Sequence, residues 1–436
     1  MPVGTGEWAS GRRLIIAGLA AALCVAPALA FAGGGLDKTF SKDGKVLTSL
    51  NGVEDEAVDV VITGGGRVVV AAQSTLGNGK RFYVVRYTAD GRLDRSFSGD
   101  GVASARFPGF VQTRALAVQD NGRIVVGGHM LTTAGDRDFA VARLMPNGRL
   151  DRSFSGDGRR TVGFAGDDDD LFADLAIQPN GRIVLAGQSR QPPNSFDVAL
   201  ARLRPNGELD KQFSSNGRTT EAFSTLVDRA DSVAIQDDGR IVTAGAIDVG
   251  AAVFHFLVTR FRPNGNLDTS FAGDGSEITI FPGEDDQANG VAIQPNGRIV
   301  AAGFTGNAFG GPTEVAVARY RPNGTPDSSF AGNGMTTVDV AAAAGDRAEA
   351  VAIHDGRIVT AGFTASPGPS GNDFLLLRLR KGGALDPTFS GDGIKTTHFG
   401  SINEFAHALA VRGKRIVAAG YSSNGAQRIA VARYRR

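Results

Sequence analysis

The chain has 436 residues, with 46 Lys and Arg against 45 Asp and Glu, one cysteine and one tryptophan. A balance so close to neutral removes any net-charge argument for nucleic acid or an anionic membrane as partner. A single cysteine excludes an internal disulfide, and because Cys24 and Trp8 both fall in the first thirty residues, the remainder has no thiolate for metal or nucleophilic chemistry either.

Residues 1–30 read as a signal peptide. Arg12 and Arg13 precede an apolar run over residues 14–30 that contains Pro27, ends in Ala28-Leu29-Ala30 and meets no stop-transfer pattern. Followed by Leu14-Ile15-Ile16, the arginine pair suits the twin-arginine route as well as a plain Sec signal. Leu23, bulky where a small residue is wanted, disfavours lipid modification of Cys24. The expectation is an exported monomer, secreted or in the cell envelope, with no transmembrane segment and one domain over residues 31–436.

From Leu36 onward a nine-residue signature close to L-D-x-[ST]-F-x-x-[DN]-G recurs seven times with starts 57 to 59 residues apart, departing from the pattern at Gln212 and Pro326; its clearest copies are LDRSFSGDG at Leu93 and at Leu150. Such a period marks one supersecondary unit copied around a ring or along a stack. Within the unit after Leu93, four short runs rich in Val, Ile and Phe (residues 102–107, 115–119, 123–128 and 139–144) are bounded by Gly, Pro, Asn or Asp, which is how strands present themselves. The Asn-Gly and Asp-Gly pairs at Asn121, Asn180, Asp238, Asn296 and Asp355 suit two-residue type I′ hairpins, which makes the second and third strands antiparallel neighbours. A β-solenoid would have parallel strands. The pattern therefore predicts an all-β fold, a seven-bladed β-propeller of four-stranded antiparallel blades. The chain starts on a first strand (residues 45–50) and ends on a fourth (residues 428–434), so the N-terminal strand is expected to complete the last blade and close the ring, removing two exposed edges.

Comparison of the seven copies with one another singles out further positions. The second signature residue is always aspartate: Asp37, Asp94, Asp151, Asp210, Asp268, Asp327 and Asp386. Seven arginines recur near the end of the fourth strand: Arg86, Arg143, Arg202, Arg260, Arg319, Arg378 and Arg433. Six stand eight residues before an aspartate, and ring closure would pair Arg433 with Asp37. These read as structural Arg–Asp contacts in every blade. The phenylalanines Phe40, Phe97, Phe154, Phe213, Phe271, Phe330 and Phe389 read as plugs between blades. The eighth signature position alternates Asp and Asn, which argues for a turn over a calcium ligand.

The blade assignment separates a face of repeated hairpins from a face of loops that vary in length and content, where ligand specificity is more plausible. On the variable face an acid recurs in six units, as Asp55, Asp170, Asp228, Asp286, Asp346 and Glu404, with Val111 the exception. Such a ring of carboxylates near the channel would bind a basic ligand or a divalent cation, calcium being the cation considered. The plainer reading, that each acid caps loop amides or stays solvated, is preferred. The five histidines, His129, His255, His354, His398 and His407, show no zinc-motif spacing, and nucleophile-elbow and phosphate-loop motifs are absent from the sequence. No catalytic residue, resident metal or cofactor is expected.

The signature copies, with segments such as VARYRPNG and AIQPNGRIV, resemble the delta-60 repeat family of secreted and surface bacterial proteins across residues 36–436. That resemblance implies a propeller-like repeat and supplies no catalytic residues. The function expected is a non-enzymatic scaffold that binds a glycan, a peptide or a cell-envelope component through its variable face. The alternative is an extracellular hydrolase or lyase with a cation-assisted carboxylate site at the channel.

Overall fold

The structure is a computed structural model and describes residues 33–76, 78–164, 169–192, 195–283, 285–307, 311–341, 345–365 and 371–435. The leader expected over residues 1–30 lies outside them. The described residues form twenty-eight strands, and none of their helices is long and apolar enough to cross a membrane.

One unit shows how sequence makes the sheet. Val111–Val118, Ile124–Leu131, Arg137–Leu144 and Arg159–Val162 pair in that order, antiparallel throughout. The second strand, IVVGGHML, is buried along nearly its whole length because a neighbouring sheet covers each of its faces. The last strand, RRTV, is only half-buried, as befits an edge. The hairpin between the first two strands differs from the expected type I′ turn. At Asn121, Asn180, Asp238 and Asn296 only the glycine has positive φ, and Oδ1 of the preceding residue accepts the N–H of the following arginine. Those loops carry one residue more than His354-Asp355-Gly356-Arg357, where Asp355 and Gly356 both have positive φ and the two-residue turn forms.

Five units form separate four-stranded sheets. The last two make an eight-stranded sheet through one parallel pairing, Asn372 with Asn403. The halves nevertheless pack face to face: Val359, Phe374 and Leu376 share a hydrophobic cluster with Ala406, Ile416 and Ala430. Every other pair of successive units shares a cluster of the same kind. The first and last units do so too, with Ala57, Val68 and Tyr83 against Ala408, Val417 and Val431. Lys45–Thr48 pairs antiparallel with the C-terminal strand, Val46 opposite Val431, and so supplies the last unit's outer strand.

The signature loop is held by its own residues. In all seven units the strand-four arginine sets Nε against Oδ2 of the signature aspartate at 2.8 or 2.9 Å, Arg433 with Asp37 included. The guanidinium lies over the ring of the fully buried signature phenylalanine at 4.5–4.8 Å. It also reaches the next unit: Nη1 of Arg86 donates to the carbonyl of Pro146 and Nη1 of Arg433 to that of Ala89, both at 2.6 Å. A second arginine, just after the hairpin glycine, joins the same aspartate, as Arg123 does with Asp151 at 2.9 Å and Arg298 with Asp327 at 2.7 Å. Burial alone would raise Asp327, but the Ser329 hydroxyl and amide with Arg298 and Arg319 bring it down to about 2.

Candidate functional site

The six variable-face acids are buried, and their carboxylates turn back to the loop that precedes them. Asp55 accepts the N–H of Leu50 at 2.7 Å and of Gly52 at 3.3 Å, with the hydroxyls of Ser49 and Ser74 at 3.1 and 2.6 Å. Asp170 takes the N–H of Phe164, Asp228 those of Phe223 and Ser224, and Asp286 that of Phe281. Asp346 takes those of Val340 and Ala341, and Glu404 those of Phe399 and Ser401. Five of the six face a Ser or Thr on the adjacent strand. Where Val111 replaces the acid, the residue opposite is Met130, so an apolar pair substitutes for a polar one. Each acid therefore satisfies a bend of buried backbone. None of them is among the residues lining the central cavity.

That cavity, of about 670 Å³, is bounded by the innermost strands of all seven units. Each inner strand carries a β-bulge at one repeat position, between Ala57 and Asp59 in the first unit and between Ala406 and Ala408 in the last. A bulge adds a residue opposite a single partner and re-aims its side chain. The bulged residues are Val58, Arg114, Ala173, Asp231, Asn289, Glu349 and His407, and all line the cavity. The bulge also presses a carbonyl onto the second strand: a Cβ on Gly303 would stand 1.8 Å from the Gln287 oxygen, and one on Gly420 the same distance from that of Phe405. The lining runs from the first residues of the inner strands through their middle and takes in His129, Gln188 and Arg137 from the variable-face halves of the next strands, so the cavity reaches toward the variable-loop face.

Two classes of polar group meet there. Asp59 and Asp174, one residue past the bulge, tie neighbouring units by accepting the N–H of Leu116 at 2.7 Å and of Val233 at 2.9 Å. The bulged residues themselves stay partly open to solvent; Asn289 Nδ2 donates to the Ala348 carbonyl at 3.0 Å and to Glu349 at 3.2 Å, and Arg229 Nε donates to Asp231 at 2.9 Å. An aromatic wall stands beside His407: Phe405 stacks on Tyr421 at 5.1 Å, Phe363 meets Phe405 at 4.5 Å, and Tyr421 lies 5.6 Å from the imidazole. Eight of the ten large apolar side chains exposed on the described surface, Val53, Leu76, Phe110, Leu131, Leu226, Val249, Ile280 and Ile402, sit in or beside the loops of this same face.

Burial sets the charges. It pushes Glu349 up to about 7, with Arg347 opposing and Asp231 adding, and Asp59 up to about 7, with Asp174 adding. Asp231 is raised by burial against the pull of Arg229 and Arg114. His129 and His407 are pushed down to about 4 by burial and by Arg114, so both are neutral at pH 7. Because folded Glu349 holds its proton above its ordinary value of 4.5, its contribution to stability is present below that value and lost as pH rises through 7. Asp59 acts in the same sense, while the two histidines act oppositely as pH falls toward 4. The Glu349→Gln difference from wild type isolates the one group: the variant should melt higher than wild type at pH 8 and alike at pH 4, by calorimetry.

The class of protein follows from these sheets: an all-β propeller of four-stranded antiparallel blades. Six stretches, residues 66–97, 119–154, 178–213, 236–271, 294–330 and 354–389, match the family described as a domain of unknown function (DUF5122) beta-propeller, which supports a β-propeller repeat family. No curated protein matches the chain. Similar solved structures include a virginiamycin B lyase from Staphylococcus aureus, at 9% identity and a TM-score of 0.47 over 89% of this chain and 98% of that one. A family PL25 ulvan lyase is similar at 13% identity and a TM-score of 0.47, over 93% and 94%. The propeller domain of a protease from Pyrococcus furiosus follows at 8% identity and a TM-score of 0.43, over 86% and 94%. These likenesses concern the fold, which hosts unrelated chemistries.

Proposed function

We propose that the chain is an exported seven-bladed propeller of delta-60 repeats that binds a glycan, by its end, at the cavity mouth on the variable-loop face. Seven blades follow from counting the eight-stranded sheet as two, since its halves pack face to face and join through a single pairing. The ring is completed by Lys45–Thr48 on the C-terminal strand. Each family match ends on a signature phenylalanine, and the seventh stretch would run off the C-terminus and resume at Leu36, which explains why six are found. Export rests on the leader read over residues 1–30.

The observation that carries the binding site is the bulge ring. At a backbone position that all seven units share, the side chains are a valine, an arginine, an alanine, an aspartate, an asparagine, a glutamate and a histidine. Shared geometry with unlike chemistry is what a ring uses to recognise an asymmetric ligand. Donors and acceptors stand side by side, their charges largely offset, and an aromatic wall flanks them; this set suits a polyhydroxylated ring better than an ion. The volume suits one or two sugar residues. A glycan array probed with the purified protein should return a binder, and the doubly substituted protein Arg114→Ala, Glu349→Gln should lose it. A protein that folds and retains no glycan would sink the reading.

A second reading, cleavage of the same glycan, draws on Glu349, whose value of about 7 suits a general acid beside Asp231. New reducing or unsaturated ends after incubation with the array's binder would establish it; an unchanged glycan would dismiss it.

A further inference from the structure

We propose that Asp373, His398 and Glu404 form a binding site for a divalent cation of the zinc class at the edge of the variable-loop face, away from the cavity. Asp373 is the second residue of Asn372–Leu379, His398 follows Ile394–Thr397, and Glu404 is the second residue of Asn403–Arg412. His398 Nδ1 stands 3.0 Å from Asp373 Oδ1 and 3.4 Å from Glu404 Oε2, and one donor atom from each residue lies within 4.8 Å of the others. Donors bound tetrahedrally at zinc's N and O bond lengths stand about 3.3 Å apart, so two of the three separations already fit and a small carboxylate rotation brings in the third.

Charge supplies the second argument. The Glu404 side chain is fully buried and that of Asp373 is 14% exposed, yet among the described residues neither has a Lys or Arg ion-pair partner, unlike the seven signature aspartates. The nearby Lys45 ammonium donates to the carbonyl of His398 at 2.8 Å and forms no ion pair with either carboxylate among the described residues. Two facing carboxylates, one buried, call for a counter-charge. An imidazole supplies one only when protonated, and an unprotonated imidazole is instead a metal ligand.

The repeat shows that this seam is special. Where His398 stands, the other units carry Ser49, Arg106, Gly163, Ala222, Ile280 and Asp339, and Glu404 is the one glutamate at a position otherwise held by aspartate or by Val111. Its longer side chain still accepts the amides of Phe399 at 2.7 and 2.8 Å and of Ser401 at 2.9 Å while reaching the imidazole. Those amides fix the carboxylate as an outer shell fixes a metal ligand. The half-exposed imidazole leaves a remaining coordination position to water.

The test is titration calorimetry of the chelator-stripped protein with Zn²⁺, with Co²⁺ absorption as the geometric readout. Wild type should bind one Zn²⁺ per chain, melt higher with it, and give the tetrahedral Co²⁺ spectrum. His398→Ala should weaken binding by at least ~10-fold. Glu404→Asp, which restores the residue other units fold with and so keeps the loop amides satisfied, should weaken it likewise. Absence of Zn²⁺ binding in wild type, equal binding by His398→Ala, or stabilisation by acidification alone with no response to Zn²⁺ would overturn the proposal.

Discussion

Replacing Arg433 with Ala is expected to destabilise the protein by about 3–5 kcal/mol, and replacing Asp37 with Ala by about as much, although 396 residues separate them. The Arg433 side chain is 1% exposed and that of Asp37 12%, so removing either leaves the other desolvated without its partner. Arg433 also holds the Thr39 hydroxyl at 2.8 Å and the Ala89 carbonyl, and it covers Phe40, so its loss frees the whole N-terminal turn. The double variant should cost little more than either single one, because the two act as one unit. Urea unfolding checks this against Arg260→Ala and Asp268→Ala, the same pair in mid-chain. Equal losses at both places mean that the terminal pair does the work of an internal one. A loss on Asp37→Ala alone, or none on either, would mean that the termini are not joined through it.

Asp55→Ala should be nearly as damaging, at about 2–4 kcal/mol, because it orphans two backbone amides and two hydroxyls at a fully buried position. Asp55→Asn should recover part of this loss, since an amide oxygen still accepts from Leu50. The amide-capping account further predicts that adding calcium to the chelator-stripped wild type leaves its melting temperature unchanged. A calcium-dependent rise that disappears in Asp170→Asn and Asp286→Asn would return the six acids to a metal-binding role.

The framework was legible in the sequence for a physical reason: seven copies in one chain supply a comparison that a single sequence normally lacks. The Arg–Asp pairs follow from fixed spacing, and the pairing of Arg433 with Asp37 follows from where the repeat is cut. The hairpin arginines are equally readable, since one follows the turn glycine in six of the seven copies, Gly413-Lys414 being the exception. The turn type at the other four hairpins is not legible from Asn-Gly or Asp-Gly alone, because loop length, one residue longer than at Asp355, decides which residue takes positive φ.

The cavity lining could not be read this way. Strand alternation assigns faces by a period of two, and a bulge shifts that period by one residue. Arg114, Asp231, Glu349 and His407 therefore looked like ordinary inner-strand positions. A signal was present all the same, in the glycine on the second strand opposite the bulge, at Gly128, Gly187, Gly245, Gly303, Gly362 and Gly420, and in the unlike side chains at one repeat position. The six acids were found by position, but position does not tell a carboxylate that faces a channel from one that faces its own loop.

The cavity mouth as ligand site is tested most directly by titrating one array-identified glycan into two asparagine variants that lie on opposite faces of the same unit. Asn289→Ala removes a bulged side chain at the mouth, whereas Asn296→Asp, on the hairpin face, installs the residue that Asp238 already provides in the preceding unit. The prediction is at least ~10-fold weaker binding for Asn289→Ala, the equivalent of one or two lost hydrogen bonds, and wild-type affinity for Asn296→Asp. Unchanged affinity in the first, or a loss confined to the second, would place the ligand elsewhere.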